Sequence, residues 1–187
     1  MTEHPIIMQG WGVRAILDGR KTQTRRVIRP QPIGGCGGAI YNPSAFEPDR
    51  GWYFDGGGKL KCPYGKPGDL LWMRETWATV KGGVYYKQEG SNNARVAEYC
   101  GWRSPIHMRK ADARLWLRLT DVRVERVQDI THHDALAEGV AYDVSKPDGA
   151  PVPRFRALWD SINTKRGYSW DVNPFCWVLT FEREEKP

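Results

Sequence analysis

The strongest pattern in this 187-residue sequence is an alternation of apolar and polar residues between positions 114 and 125. Leu115, Leu117 and Leu119 alternate with arginine or tryptophan. This period of two predicts a β-strand with one face against a core. The apolar phase then slips by one residue at Thr120-Asp121, which predicts a bulge or sharp bend. A long bent strand is typical of a small sheet that curls towards a barrel.

Local patterns elsewhere predict helices near the ends of this sheet. Apolar residues spaced three and four apart between positions 13 and 17 predict a first helix, and Gly19 follows where a C-cap glycine belongs. Thr131 and Asp134 form the pattern of a capping box, which predicts a second helix that ends near Glu138. A third helix begins at Pro153 and carries its apolar residues on one face.

Further strands complete an α+β fold. The turn Lys66-Pro67-Gly68-Asp69 leads into an apolar run that predicts a buried strand from Leu70 to Ala78, and residues 84–86 predict its return strand. Alternation from Phe175 to Glu182 predicts a terminal strand. We expect one domain over residues 1–187 with flanking helices. Long irregular insertions are expected at 33–61, 89–111 and 141–152.

Composition narrows the function classes. A net charge of +6 and a pI near 9.2 favour a polyanionic partner, with nucleic acid first. The absence of a G-x-x-x-x-G-K-[ST] motif excludes a P-loop nucleotide triphosphatase. We expect neither a membrane partner nor a signal peptide, and we predict a cytoplasmic protein. The cysteines are too scattered for a metal site and are expected to be reduced thiols: Cys36, Cys62, Cys100 and Cys176.

Eight residues from Gly19 to Arg26 combine four cations with two hydroxyl groups directly after the first helix. Thr24 is a nucleophile only when a base removes its proton, and Lys21 can be that base only when neutral. Repulsion from neighbouring arginines and burial would both favour the neutral form. In an extended strand the two side chains face opposite sides, so joint action requires a turn or bulge between them. Phosphate binding by Arg25 or Arg26 is a simpler interpretation, and a solvated basic loop is the simplest.

Glu138 breaks a local rule, because it lies at the C-terminal end of a predicted helix, where the helix dipole disfavours a carboxylate. Residues that break such rules are enriched at functional sites, so Glu138 is a candidate site residue. A surface glutamate that costs roughly a few tenths of a kcal/mol is the ordinary alternative.

The pattern Gly19-x-Lys21-x-x-Thr24-x-Arg26 resembles the signature of the ASCH domain, a PUA-like RNA-associated fold. The similarity continues through residues 66–70, through Ile130 to Glu138, and in the terminal strand. The whole chain resembles a subgroup common in bacteriophages and prophages. Three segments carry that similarity: Arg74-Glu75-Thr76-Trp77, Ile106-His107-Met108 and Leu158-Trp159-Asp160-Ser161-Ile162-Asn163.

This resemblance implies a curled β-barrel with flanking helices and a cleft beside the first helix. Many ASCH proteins have glutamate where this chain has Thr24. A bacterial branch with threonine there is an amidohydrolase that acts on N4-acetylcytidine, with a working set that matches Lys21, Thr24 and Glu138. If the roles carry over, Thr24 attacks the acetyl carbonyl, Lys21 is the base, and Glu138 positions Lys21 or shuttles protons. Backbone amides or Arg26 would stabilise the oxyanion, and the products would be cytidine and acetate.

The resemblance also implies residues that bind the substrate or a nucleic acid. Basic residues are expected to hold phosphate, and aromatic residues near the cleft, among them Tyr86, to stack the base. The candidates are Arg20, Arg25, Arg26, Trp72, Glu75, Trp77 and His107. Other ASCH branches are linked to RNA binding or ribonuclease activity, so two alternatives stand: a non-catalytic module that binds RNA or modified bases, and a ribonuclease. We expect a modified nucleoside or RNA as partner, no cofactor, and a monomer.

Overall fold

The structure is a computed structural model that describes residues 1–31, 39–42, 51–54, 59–80, 83–89, 100–142, 145 and 149–187. The chain folds into two compact units, each built from separate segments. Unit 1 comprises Met1–Thr22, Tyr64–Thr120 and Phe181–Pro187, and unit 2 comprises Gln23–Pro63 and Asp121–Thr180.

The elements follow in chain order. The helices are α1 (Gly10–Leu17), α2 (His132–Ala137) and α3 (Pro151–Asn163). The strands are β1 (Glu3–Ile7), β2 (Gln23–Val27), β3 (Ala39–Asn42), β4 (Gly51–Phe54), β5 (Lys59–Leu60), β6 (Leu70–Arg74), β7 (Trp77–Val80), β8 (Gly83–Tyr86), β9 (Trp116–Arg126) and β10 (Phe175–Glu184). Short 3₁₀ turns join several of them.

The strand pairings confirm the α+β class. A five-stranded sheet has the order β1-β6-β9-β10-β2, and smaller sheets have the orders β3-β4-β5 and β7-β8. Most pairings are antiparallel, but β1 runs parallel to β6. Among the described residues these pairings do not close a sheet into a barrel. The long strand is continuous from Trp116 to Arg126, and the boundary between the units falls at Thr120, where the alternation slips phase.

Unit 1 is built on the pairing of β6 with β1 and with the first part of β9. Leu70 and Trp72 of β6 pack with Ala113 and Trp116 in one buried cluster. The turn before β6 is closed by Asp69, whose carboxylate accepts from the backbone N–H of Thr2 at 2.7 Å. Burial raises the pKa of Asp69, but hydrogen bonds from the backbone of Thr2 and of residue 66 outweigh it and lower that pKa below its ordinary value.

Unit 2 has its core between the two later helices and the sheet. Its buried members come from α2, α3, the start of β10 and the short segments that follow β9 and precede β10: Val127, Ile130, Ala135, Phe155, Trp159, Trp170 and Cys176. Helix α3 contributes Phe155 and Trp159 from one face, as its apolar spacing predicts. This cluster holds α2, and with it Glu138, against β2.

The caps predicted from local patterns are confirmed. Gly19 has φ 71°, the left-handed conformation that ends α1. The Thr131 side chain accepts from the backbone N–H of Asp134, and the Asp134 carboxylate accepts from the backbone N–H of Thr131. Glu138 is the C-cap residue of α2.

Three predictions from the sequence need correction. The apolar run from Leu70 to Ala78 is not one strand, because it divides into β6 and β7 around Glu75 and Thr76. The region 33–61 is not wholly irregular, because β3, β4 and β5 form an antiparallel sheet within it. Helix α3 begins at Pro151, two residues before the predicted start, within the predicted insertion 141–152. Residues 32–38, 43–50, 55–58, 81–82, 90–99, 143–144 and 146–148 lie outside the described part of the chain.

In the described part of the chain, the helices are too short or too polar to cross a membrane.

Candidate functional site

Strand β2 forms one edge of the five-stranded sheet, and its backbone register fixes which groups face outwards. Thr22 and Ile28 bond to Phe181 and Phe175, so even-numbered residues of β2 exchange hydrogen bonds with β10. The N–H and C=O groups of odd-numbered residues therefore point to the free edge. The N–H of Arg25 is one of these groups, and Arg25 is buried. A buried edge amide needs a partner from outside the sheet.

Glu138 is that partner. Its Oε1 atom accepts a hydrogen bond of 2.5 Å from the backbone N–H of Arg25. The same oxygen lies 3.8 Å from Nη1 of the Arg25 guanidinium. Glu138 is 3% exposed, and its position just past α2 brings the carboxylate to the peptide bond that joins Thr24 to Arg25. The structure thus brings Glu138 together with the backbone of Thr24, 114 positions earlier in the chain.

The Arg25 side chain lies inside a network of carboxylates. The side chain is 1% exposed, and its guanidinium donates to Glu125 at 2.9 Å and to Asp134 at 3.3 Å. It also donates to the Gln23 side chain, which in turn donates to Asp134 at 3.1 Å. Cysteine 176 belongs to the core beside this network, and burial raises the pKa of its thiol well above the ordinary value.

Asp134 links helix α2 to strand β2. Burial by itself raises the pKa of Asp134, but hydrogen bonds from Gln23 and Thr131 and the charge of Arg25 lower it from 3.8 to about 2. Arg123 donates to the same carboxylate at 3.2 Å. Asp134 and Glu138 are four positions apart, so they lie on one face of the helical turn and both reach Arg25.

Thr24 is buried, with 4% of its surface exposed. Gln23 and Arg25 both bond to Asp134, so their side chains project from the α2 face of the strand. Successive side chains of a strand alternate, so the Thr24 hydroxyl belongs to the opposite face. Glu138 approaches the strand at its edge, between these two faces.

Lys21 belongs to unit 1 and lies in the turn after α1. Its backbone N–H and that of Arg20 both donate to the carbonyl oxygen of Ala15, at 3.0 and 2.9 Å. Lys21 is 3% exposed, and its Nζ atom lies 5.2 Å from the centre of the Trp11 ring. A Cβ atom on Gly12 would lie 3.9 Å from the Lys21 stem, so this helix face approaches the lysine closely.

Several predicted binding residues of unit 1 take part in arginine–aromatic contacts. Arg74 lies over Trp72 with its guanidinium carbon 4.7 Å from the ring centre, and Arg103 lies over Trp77 at 5.3 Å. Glu75 is 1% exposed and accepts two hydrogen bonds from Arg114, at 2.9 and 3.0 Å.

Further candidates differ in exposure. Arg114 lies over the Tyr86 ring at 4.3 Å. His107 is exposed at the end of the short turn Pro105–His107. Arg20 is exposed and bonds to Asp18 at 3.0 Å, whereas Arg26 is half-buried in β2 opposite Trp177. The binding roles of all these residues stay predictions.

Three neighbours of the candidate site are not predicted from the sequence: Gln23, Glu125 and Arg123. Gln23 and Glu125 come from strands that are far apart in the sequence, so no local spacing connects them. One signal was available, because Asp134 and Glu138 occupy positions i and i+4 of a predicted helix and therefore share a face. Two carboxylates on one face of a short helix indicate a shared cation, which the structure identifies as Arg25.

No protein-family model matches the chain, and no curated protein matches its sequence. A search of solved structures finds the crystal structure of protein EF3133 from Enterococcus faecalis V583, with the family name DUF984. The match has 11% sequence identity and a TM-score of 0.46, and it covers 99% of this chain and 82% of that one.

Proposed function

We propose that this protein hydrolyses the acyl amide of an N4-acylated cytidine or a related modified nucleoside, with Lys21, Thr24 and Glu138 as its working residues. The proposal includes the family suggested by the sequence, an ASCH domain with a PUA-like curled barrel. The observation that carries it is the 2.5 Å hydrogen bond from the N–H of Arg25 to Glu138, at the peptide bond that follows Thr24. The buried Glu138 carboxylate is thus bonded to the backbone directly after the buried Thr24, although the two residues are far apart in the chain.

The proposed chemistry is acyl transfer to Thr24 followed by hydrolysis. The Thr24 hydroxyl oxygen attacks the amide carbonyl carbon while neutral Lys21 takes the hydroxyl proton. The C–N bond then breaks, and the exocyclic amine of cytidine leaves with that proton. Water attacks the Thr24 ester, releases the carboxylic acid and restores the hydroxyl. Glu138 orients Lys21 or carries protons between these steps.

Two features of the described residues support this chemistry. Lys21 is nearly fully buried, and a lysine acts as a base only in its neutral form, which burial favours. Two residues separate Lys21 from Thr24 in the chain, so their Cα atoms are at most roughly 11 Å apart.

The test is an assay of the purified protein with N4-acetylcytidine, followed by chromatographic separation of cytidine. Thr24→Val and Glu138→Gln are expected to lower kcat/KM by at least roughly 100-fold, as losses of groups that act in the transition state. Thr22→Val removes an exposed hydroxyl and is the matched control for Thr24→Val. Glu182→Gln removes an exposed carboxylate and is the matched control for Glu138→Gln. Thr24→Val with wild-type activity would exclude Thr24 as the nucleophile.

One observation favours a second function, binding of RNA or modified bases without catalysis. The chain has a net charge of +6, and unit 1 carries arginines stacked on Trp72, Trp77 and Tyr86. Guanidinium groups on aromatic rings are suited to bases and phosphates. This function predicts RNA binding that weakens steeply with salt and that Thr24→Val leaves unchanged. Absence of salt-dependent binding at low ionic strength would reject it.

A further inference from the structure

We propose that Arg25 is a positioning residue for Glu138, holding the carboxylate at the edge of β2 beside Thr24. This inference rests on the proposed function for its catalytic consequence, but its structural part is testable without any substrate. It differs from the anion-binding role that the sequence suggests for Arg25.

The Arg25 guanidinium lies among protein side chains. The side chain is 1% exposed, and the described contacts of the guanidinium nitrogen atoms are with Gln23, Glu125, Asp134 and Glu138. A phosphate group would have to displace these carboxylates from a buried site. The guanidinium is therefore arranged to organise protein carboxylates.

Arg25 contacts Glu138 in two ways. Its backbone N–H donates to one carboxylate oxygen at 2.5 Å, and its guanidinium lies 3.8 Å from the same oxygen. A cation on the side-chain face adds a second point of attraction and compensates the charge of a buried carboxylate.

The same guanidinium also contacts the helix that precedes Glu138. Asp134 lies one helical turn before Glu138 and bonds to Arg25 at 3.3 Å. Asp134 also closes the capping box at the start of α2 through Thr131. Arg25 thus contacts the first turn of α2 through Asp134 and the residue just after α2 through Glu138. These two contacts set the position of the Glu138 backbone.

The test uses Arg25→Gln, which removes the cation and keeps the backbone N–H. The amide proton of residue 25 reports the Glu138 carboxylate directly by NMR, because a hydrogen bond to a carboxylate moves it downfield. In Arg25→Gln we expect this proton to move upfield and its hydrogen exchange to accelerate by roughly 10-fold or more. Arg156→Gln is the control, since its described contacts are Asp160 and Asp171 in the same unit, and it should leave the amide proton near its wild-type shift.

Kinetics then separate positioning from a general loss of structure. With N4-acetylcytidine, Arg25→Gln should lower kcat by roughly 10- to 100-fold through misplacement of Glu138. It should change KM by less than about threefold, since uniform substrate binding is untouched. Arg156→Gln should keep kcat within about threefold of wild type. A rise in KM at constant kcat would instead make Arg25 a binding residue and overturn the proposal.

The two proposals fail in different ways. If wild type shows no hydrolysis but Arg25→Gln shifts the amide proton, the proposed function fails and the positioning role stands. An unchanged amide proton in Arg25→Gln overturns the positioning role, whatever the activity. Should Arg25→Gln not fold, Arg25→Lys decides, because one ammonium group cannot span Glu125, Asp134 and Glu138. In Arg25→Lys we still expect the amide proton of residue 25 to move upfield and to exchange faster. A wild-type spectrum together with wild-type kcat would contradict the proposal.

Discussion

Replacement of Asp134 by asparagine is expected to weaken unit 2 in a way that depends on pH. The Asp134 carboxylate accepts hydrogen bonds from Gln23, Arg25, Arg123 and Thr131. Its pKa falls from 3.8 to about 2, because these hydrogen bonds and the Arg25 charge outweigh the effect of burial. The ionised form is therefore more stable in the folded protein than in the unfolded chain, and asparagine removes that difference.

The magnitude follows from the two pKa values. A difference between 3.8 and about 2 corresponds to roughly 2 kcal/mol of unfolding free energy, since one pKa unit is worth about 1.4 kcal/mol. Because the folded-state pKa is the lower one, this contribution is complete above the unfolded value and is lost as the pH falls towards about 2. About half of it, roughly 1 kcal/mol, remains at pH 3.

Urea denaturation of wild type and Asp134→Asn at pH 7, 5 and 3 measures this effect. We expect the difference in unfolding free energy to be the same at pH 7 and 5 and to shrink by about half at pH 3. Asp171→Asn is the matched control, because Asp171 is an exposed partner of Arg156 in the same unit and should change stability little. A loss that is equal at all three pH values would show that charge at Asp134 is not its source.

Further predictions concern unit 1 and the turn after α1. Glu75→Gln leaves the partly buried Arg114 without its carboxylate and should lower the unfolding free energy by about 3 kcal/mol, measured by urea denaturation. Gly12→Ala places a Cβ 2.8 Å from the Met8 side chain, so we expect a loss of about 1–2 kcal/mol unless that flexible side chain moves. Gly19→Ala meets no atom within 4 Å but must adopt φ 71°, which should lower stability by about 1 kcal/mol in thermal unfolding.

The helix ends could be predicted from the sequence because they depend on neighbours along the chain. Gly19 ends α1, and Thr131 with Asp134 begins α2, in each case through bonds that span a few residues. The alternating pattern located β9 for the same reason, since its period is a property of the strand itself. Such local determinants are visible in one sequence.

The contacts of the candidate site depend on strand register and on partners far along the chain. The sequence favoured one strand from Leu70 to Ala78, but the chain divides at Glu75, whose carboxylate bonds to Arg114 39 positions away. Arg25 looked like an exposed cation because nothing near it in sequence is acidic. Its carboxylates lie at least 100 positions away, on β9 and around α2. No local pattern contains that information.

Replacement of Glu138 by glutamine separates its part in the fold from its proposed part in hydrolysis. The buried N–H of Arg25 requires an acceptor, and a glutamine oxygen would serve as well as a carboxylate. A carboxylate just past a helix C-terminus is disfavoured by the helix dipole, and Arg25 keeps Glu125 and Asp134 as partners when residue 138 is neutral. The negative charge of Glu138 is therefore not required to satisfy the N–H of Arg25 at the edge of β2. Glu138→Gln should fold with about wild-type stability, within about 1 kcal/mol in urea denaturation, and lose hydrolysis. If Glu138→Gln is stable and fully active, Glu138 serves only as the acceptor for the N–H of Arg25.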